Sequence, residues 1–274
     1  MVQQSVKKLA KAVLPRQVVS RISHHRARQR EQSPPRFDAP QNSAAEILGC
    51  CIAYTPSGGF CVPLSSRHRP AARRILEGSV YEPETIAFLA ANCGSGDIVH
   101  AGTYFGDFLP ALSRACDPQA KIWAFEPNPE SFRCASITCA INSLRNVHLK
   151  NSGLGAGEDK AVMQVKDLDG RALGGGSQLL WQTPNLPESL TAEVHIAALD
   201  DVIPSNRPVS VIQLDVEGFE QQALSGALET IARCRPILIL ETVPEETWLS
   251  PNILSLGYRI DREIHGNRVL LPPS

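Results

Sequence analysis

From residue 97 onward, short apolar runs typical of buried strands alternate with longer segments typical of helices. The first passage runs IVHAG, GDFLPALSRA, KIWAFE, PESFRCASITCAINSL and NVHLKN, and the second runs VSVIQLD, FEQQALSGALETIARC and PILILE. This alternation predicts an α/β, Rossmann-like fold with a mostly parallel sheet and helices on both faces. The closing segments YRIDRE and NRVLLPP should pair through the turn at residues 265–267 and form an antiparallel edge. Residues 161–165 and 193–197 are candidates for further strands.

Two regions of different composition precede this pattern. Residues 1–40 are basic and weakly hydrophobic, and Ser33-Pro34-Pro35 is typical of a linker, so we expect a flexible tail. The alternative is a peripheral contact with a membrane surface or a protein through residues 1–40. In residues 41–96, the apolar runs ILGCCIAY and FCVPL flank the turn-rich TPSGG and predict a hairpin, followed by helices near Pro70 and Pro83. Residues 97–274 form the main domain.

Charge and cysteine content argue against several classes of protein. The net charge is -1, and a nucleic acid partner is disfavoured because phosphate neutralisation needs a basic excess. No apolar run approaches the ~20 residues of a membrane span, so no transmembrane segment is expected. The eight cysteines form no CxxC pair and lie in apolar segments, which is typical of reduced core thiols. Lysines and Pro15 interrupt any signal region, so we expect a cytoplasmic protein.

The first strand-to-helix junction, His100-Ala101-Gly102-Thr103-Tyr104-Phe105-Gly106-Asp107, has the form of a ligand-binding loop. Ligands in open α/β sheets bind at the carboxyl ends of the strands. Gly102 is expected to let the backbone approach the ligand closely, and Gly106 to let the chain begin the next helix without a Cβ clash. The helix N-terminus would then offer free N–H groups to an anion such as a methionine carboxylate.

Glu126 ends the second strand of the pattern. It lies roughly 20 residues beyond Gly106, where a carboxylate can accept both hydroxyl hydrogens of an adenosine ribose. The alternative is an acid at a helix N-terminus, because Pro127 and Pro129 open the following helix. Ribose binding is the interpretation that connects Glu126 to the glycine loop.

Asp215 and Glu217 come directly after the buried strand VSVIQL. We expect both carboxylates to face the ligand cleft, because burial without partners is costly. Gly218 allows a sharp start of the next helix, and capping of that helix is the alternative role of the two acids. Glu241 ends the following strand and should lie beside them.

With these junctions the sequence resembles the FkbM methyltransferase family over residues 97–261. The resemblance implies a class I methyltransferase fold, S-adenosylmethionine as the methyl donor, and O-methylation of a hydroxyl on a sugar, glycan or polyketide-like small molecule. Many relatives carry an acid where this chain has His100, so Asp107 becomes a candidate partner of the methionine ammonium, with a helix-start acid as its other role. The matching elements are Gly102 to Gly106, Glu126-Pro127-Asn128-Pro129, Leu199-Asp200-Asp201, Asp215 to Glu220, and Arg235-Pro236 to Glu241.

Asp215 is the first candidate for the base that takes the acceptor proton, with Glu217 and Glu241 as further catalytic candidates. No metal is assigned, although an alternative mechanism places magnesium on these three carboxylates. His195 is expected to be structural. The expected cofactor contacts are His100, Ala101, Gly102, Thr103, Phe105, Gly106, Asp107, Glu126, Pro127, Asn128 and Asp215.

Two other classes of protein stay open at the level of the sequence. A nicotinamide-dependent oxidoreductase shares the strand, glycine loop, helix and distal acid, but the G-x-G-x-x-G spacing is absent. A noncatalytic membrane-surface or scaffold protein would leave the clustered carboxylates unexplained. The Gly-rich stretch at residues 170–177 and the region to Glu188 predict a mobile loop near the cleft, with a plain connector as the alternative.

Overall fold

The computed structural model describes residues 47–180 and 186–273, which belong to one compact unit of the chain, Pro35–Ser274. The predicted tail at residues 1–40 lies outside the described residues. So do residues 181–185 in the predicted loop. The predicted domain boundaries therefore stay predictions.

The predicted helices and strands occur in the predicted order, together with short strands and helices that the sequence pattern does not predict. The strands are β1 Cys50–Thr55, β2 Gly58–Pro63, β3 Asp97–Ala101, β4 Ile122–Phe125, β5 Val147–Lys150, β6 Gly153–Leu154, β7 Asp159–Gln164, β8 Gln178–Leu180, β9 Thr191–Ala197, β10 Val209–Leu214, β11 Ile237–Leu240, β12 Arg259–Ile264 and β13 Asn267–Leu271. The α-helices are α1 Pro70–Leu76, α2 Pro83–Asn92, α3 Leu109–Ala115, α4 Pro129–Ile141, α5 Leu199–Val202, α6 Glu220–Ser225, α7 Leu228–Cys234 and α8 Glu246–Asn252.

The central sheet has seven strands in the order β12-β13-β11-β10-β3-β4-β5. The five strands from β11 to β5 run parallel, and β13 and β12 add an antiparallel edge. This topology confirms the predicted α/β fold. Because parallel strands end at one edge, the carboxyl ends of β3, β4, β10 and β11 lie side by side.

Helices cover both faces of this sheet. In β3, Ile98 packs into a cluster with α2, α3 and α4, whereas Val99 packs into the cluster on the other face with α5 to α8. Both residues are fully buried. Burial on both faces explains why the parallel strands are continuous apolar runs rather than alternating ones.

Two smaller sheets flank the central one. Strands β1 and β2 form the predicted hairpin, with Thr55 opposite Gly58 at the turn. The candidate strands near residues 161–165 and 193–197 are confirmed as β7 and β9, and they pair with each other in a separate sheet of order β6-β9-β7-β8.

Two helices differ from the predicted ones. The pattern predicts a helix from Gly106, but α3 begins at Leu109, because Gly106 has φ of 81° and closes a turn on Thr103 O. The pattern also predicts one helix over residues 219–234, whereas α6 and α7 are separated at Gly226. A Cβ on Gly226 would lie 1.9 Å from the carbonyl oxygen of Gly155, so the helix breaks where this turn packs tightly against another segment.

Asp97, at the start of β3, joins three segments at the amino edge of the sheet. Its fully buried carboxylate accepts hydrogen bonds from Trp123 Nε1 at 2.8 Å, Lys121 N at 2.7 Å and Arg207 Nε at 2.9 Å. Removing any one of these partners would leave a buried polar or charged group unpaired, which destabilises the fold.

All eight cysteines are free thiols, as the sequence predicts. Cys61 of β2 and Cys134 of α4 lie in one buried cluster, and the hydrogen bond from Cys134 lowers the pKa of Cys61 to about 7. Within residues 47–180 and 186–273, no helix combines the length and the apolar character that crossing a membrane requires.

Candidate active site

Two adjoining cavities lie at the carboxyl ends of β3, β4, β10 and β11. One has about 440 Å³ of empty volume and the other about 730 Å³. Gly102, Gly175, Asp215 and Glu217 line both, so the cavities form one cleft. We call the smaller one, which contains Glu126, the nucleoside cavity after the ligand that the sequence predicts for it, and the larger one the acidic cavity.

Gly102 has φ of 83°, and a Cβ there would lie 1.8 Å from the backbone oxygen of Asp215. The sequence predicts that Gly102 makes room for a ligand. In the structure the backbone that comes closest to Gly102 is that of Asp215, because the ends of β3 and β10 pack backbone to backbone at this point. Gly102 also lines both cavities, and its contact with a ligand stays a prediction. Gly106 has φ of 81° and packs against α4. A Cβ added to Gly106 would lie 3.4 Å from the Thr138 side chain of that helix.

The remaining loop residues divide between the cleft and the core. Ala101 lines the nucleoside cavity, and His100 and Asp107 line the acidic cavity. Thr103 and Phe105 are fully buried and line neither, although Thr103 Oγ1 braces the loop by donating to His100 O at 3.0 Å. Their role in cofactor binding stays a prediction.

Glu126 is buried at the end of β4 and faces the nucleoside cavity. Its Oε2 accepts a hydrogen bond from Tyr104 N at 2.6 Å and its Oε1 one from Asn128 N at 2.8 Å. Burial raises the pKa of Glu126 to about 8, against the opposing effect of these N–H groups. Asn128, not Glu126, caps α4, because its Oδ1 accepts from Glu130 N and Ser131 N.

The nucleoside cavity has an apolar wall beside this carboxylate. Pro127, Leu154, Met163 and Leu179 contribute to that wall. A flat apolar slot next to a carboxylate with remaining lone pairs suits a nucleoside, whose base is buried while its ribose hydroxyls donate hydrogen bonds.

Asp215, Glu217 and Glu241 bring one carboxylate oxygen each within 4.8 Å of one another. The pKa of Asp215 lies well above that of an ordinary carboxyl. The main cause is burial, and the charge and hydrogen bond of Glu241 add to it. Burial and the charge of Glu241 also raise the pKa of Glu217. Neither acid caps the next helix, since α6 begins at Glu220, whose own carboxylate accepts from Val216 N.

Sequence reasoning missed three residues that line the acidic cavity: Arg69, Glu82 and Tyr104. Glu82, Tyr104 and Glu217 are non-glycine residues with φ of 48°, 52° and 54°. Left-handed backbone is unfavourable for such residues and concentrates at functional sites. The only sequence signal for Glu82 is that it precedes Pro83, outside the alternating pattern.

The Gly-rich stretch lies beside the cleft, as predicted. Gly174–Gly176 form a turn of 3₁₀ helix, and a Cβ on Gly175 would lie 3.3 Å from the Tyr104 ring. The stretch is tied to α4 by Asn128 Nδ2, which donates to Ser177 Oγ at 3.0 Å. His195 lies in β9 and lines a separate groove with Lys150, so it is not among the cleft residues.

The parallel sheet, the glycine loop at its first strand and the acid at the end of the second are common to class I S-adenosylmethionine-dependent methyltransferases and dinucleotide-binding enzymes, and the sequence profile distinguishes these classes. The sequence profile of the Methyltransferase FkbM domain matches residues 100–264, more than half of the chain. This protein therefore belongs to the FkbM methyltransferase family, and its cofactor is S-adenosylmethionine. The family match favours a methyltransferase over the oxidoreductase alternative.

Solved methyltransferase structures align with parts of this chain at low sequence identity. Methyltransferase FkbM from Methylobacillus flagellatus KT aligns with 65% of this chain and 43% of its own, at 19% identity and a TM-score of 0.46. A SAM-dependent methyltransferase from Aquifex aeolicus aligns with 70% of this chain and 88% of its own, at 15% identity and a TM-score of 0.36. This chain thus spans less than half of the Methylobacillus protein. No curated protein sequence is significantly similar to it.

Proposed function

We propose that this protein transfers the methyl group of S-adenosylmethionine to a hydroxyl oxygen of a small molecule or glycan, in a reducing compartment such as the cytoplasm. The observation that carries the proposal is the pair of carboxyl groups on Asp215 and Glu241, which lie close enough to share a hydrogen bond where the two cavities meet. An alcohol is a poor nucleophile until a base removes its proton, and this pair provides that base.

The residues around the nucleoside cavity fit the cofactor. Glu126 retains lone pairs for the two ribose hydroxyls while its bonds to Tyr104 N and Asn128 N fix its orientation. The apolar wall formed by Leu154, Met163 and Leu179 suits the adenine. When bound, the cofactor supplies an electrophilic methyl group on a sulfonium, which is displaced in line.

Asp215 is the proposed general base. As the acceptor oxygen takes the methyl group, the Asp215 carboxylate would accept the hydroxyl proton. Glu241 raises the basicity of Asp215 by placing a second carboxyl group beside it, since two neighbouring carboxylates bind a proton more tightly than one. Glu217, held by its left-handed backbone, orients the acceptor from the other side.

A divalent cation is the competing arrangement for the same three acids. Carboxylate oxygens suit magnesium, and their separations of at most 4.8 Å would permit a shared ion that acidifies the hydroxyl. The two mechanisms differ in their response to a chelator. Direct base catalysis by Asp215 is unaffected by chelation, whereas a metal mechanism loses its activity and regains it on addition of magnesium.

The test is to incubate the protein with [methyl-¹³C]S-adenosylmethionine and a panel of polyhydroxylated compounds, amines and thiols. The chemical shift of the new methyl carbon identifies the atom that received it. We expect an O-methyl product, and we expect Asp215→Asn to slow its formation about 100-fold or more while cofactor affinity changes little.

Glu246→Gln is the matched control, because Glu246 is an exposed carboxylate at the start of α8. This variant should turn over at the parent rate. Methyl transfer to nitrogen, sulfur or carbon, or an Asp215→Asn variant as fast as the parent, would contradict the proposal.

A further inference from the structure

His100 lines the acidic cavity and brings no charge to it. It is buried at the end of β3, and burial lowers its pKa to about 4, so the ring is neutral. Its ring stacks on Phe108 at 5.2 Å, with an angle of 10° between the planes. A methionine ammonium held at this position needs its charge partner from another element.

The orientation of the His100 ring is nevertheless suited to a donor ligand. Nδ1 is hydrogen-bonded to Oε1 of Gln213, on the neighbouring strand β10. Because an amide oxygen can only accept, Nδ1 carries the proton and Nε2 carries a lone pair. Nε2 is buried without a hydrogen-bond partner in the described part of the chain, in a residue that lines the acidic cavity. An unpaired buried acceptor is costly unless a ligand donates to it.

Glu82 places a carboxylate in the wall of the same cavity. It precedes α2, has φ of 48° and is followed by Pro83, so its backbone is held in a strained conformation. Thr85 Oγ1 at 2.9 Å and Asn267 Nδ2 at 3.1 Å both donate to Oε2, which leaves Oε1 for a ligand. Burial raises the pKa of Glu82, since these two neutral donors compensate its charge only in part.

Asp107 is the other acid in this part of the cavity, and its surroundings differ. Its carboxylate accepts hydrogen bonds from its own N–H and that of Phe108, and burial raises its pKa to about 7. These bonds hold Asp107 in the turn before α3. At Glu82, by contrast, both side-chain donors bind Oε2, so Oε1 is the oxygen that can accept from a cation.

We propose that Glu82, together with the Nε2 lone pair of His100, binds the α-ammonium group of S-adenosylmethionine. Glu82, which directly precedes α2, thus supplies the negative charge that the neutral His100 ring lacks. The ammonium donates one hydrogen bond to Oε1 of Glu82 and one to Nε2 of His100. This inference rests on the proposed function only through the cofactor that both require.

The test compares two ligands, S-adenosylhomocysteine and its deaminated analogue, in which hydrogen replaces the α-amino group. Calorimetry measures their affinities for the parent and for Glu82→Gln. The parent should prefer S-adenosylhomocysteine by about 10-fold or more, and Glu82→Gln should lose about 10-fold in affinity for it. The affinity of the analogue should stay within about twofold, because it lacks the group that Glu82 binds.

Glu84→Gln is the control on the same helix, since Glu84 is exposed and pairs with His265 outside the cavity. It should leave both affinities unchanged. Glu82→Asp keeps the charge but shortens its reach, and its loss should again be confined to the aminated ligand, so a folding failure of one variant leaves the other as a test.

Equal losses for both ligands would show that Glu82 only shapes the cavity and would overturn the proposal. So would a Glu82→Gln variant with parent affinity for S-adenosylhomocysteine. A parent protein that binds neither ligand would instead refute the methyltransferase function itself, which keeps the two failures distinguishable.

Discussion

Replacement of Glu126 by Ala tests the assignment of the nucleoside cavity. In the parent, each oxygen of the Glu126 carboxylate accepts a hydrogen bond from one backbone N–H. Each is proposed to accept a second hydrogen bond from one ribose hydroxyl. Removing the second pair of bonds should weaken S-adenosylhomocysteine binding by about 1 to 3 kcal/mol, or roughly 5- to 150-fold.

The effect on stability comes from two opposing contributions. The variant leaves Tyr104 N and Asn128 N unpaired, at a cost of about 1 to 3 kcal/mol each. It also removes a buried acid whose pKa is raised from 4.5 to about 8, a shift that corresponds to at most about 5 kcal/mol once the group is fully ionised. The two nearly cancel at high pH, so the fold should survive.

The sign of the pH dependence follows from the raised pKa. An acid with a higher pKa in the folded state binds more protons there, so stability is greatest below about pH 4.5 and falls as the pH rises through about 8. The stability of Glu126→Ala should not show this decrease with pH, because the variant has no carboxyl group at this position. Without ligand, the parent should therefore lose stability relative to the variant between about pH 5 and pH 9.

Calorimetry with S-adenosylhomocysteine and its 2′,3′-dideoxy analogue distinguishes the loss of a direct contact with the ribose from a change in the shape of the cavity. Glu126→Ala should lower the affinity for S-adenosylhomocysteine and leave the affinity for the dideoxy analogue nearly unchanged. Glu130→Ala is the control, because Glu130 lies four residues along the chain and bonds to Ser65 Oγ at the surface. Parent affinity in Glu126→Ala, or equal losses for both ligands, would refute the ribose assignment.

Three further predictions follow from the same structure. Asp215 must be deprotonated to act as the base, and its pKa is raised well above that of an ordinary carboxyl. The turnover of the parent should therefore keep rising with pH beyond the range in which ordinary carboxyls titrate, and a pH–rate profile tests this. Gly102→Ala should cost about 3 kcal/mol or more in denaturant unfolding, whereas Gly170→Ala, with φ of 79° and open space around it, should cost about 1 kcal/mol. Asp97→Asn should lower the unfolding free energy by about 3 kcal/mol, because the Arg207 guanidinium loses its charge partner.

The central sheet was predictable because burial on both faces makes each parallel strand a continuous apolar run. The first polar residue after such a run lies at the carboxyl edge, which is why Glu126, Asp215 and Glu241 could be assigned to one cleft from their positions alone. Parallel strands share that edge, so residues distant in sequence meet there.

Other features depend on tertiary contacts that carry no local signal. Glu82 and Tyr104 reach the cleft through left-handed backbone in segments where the sequence pattern predicts only helices and a loop. The break between α6 and α7 depends on the close approach of Gly155 to Gly226, and six other α-helices and β-strands in the described part of the chain, from β7 to α6, separate these two glycines in the sequence. Local propensity cannot register contacts of that kind.

A crystal structure of the complex with S-adenosylhomocysteine tests the central claim most directly. It should show both ribose hydroxyls on Glu126, the amino group beside Glu82 and His100 Nε2, and the sulfur facing Asp215. A nucleoside bound elsewhere, or a ribose with no contact to Glu126, would contradict the account.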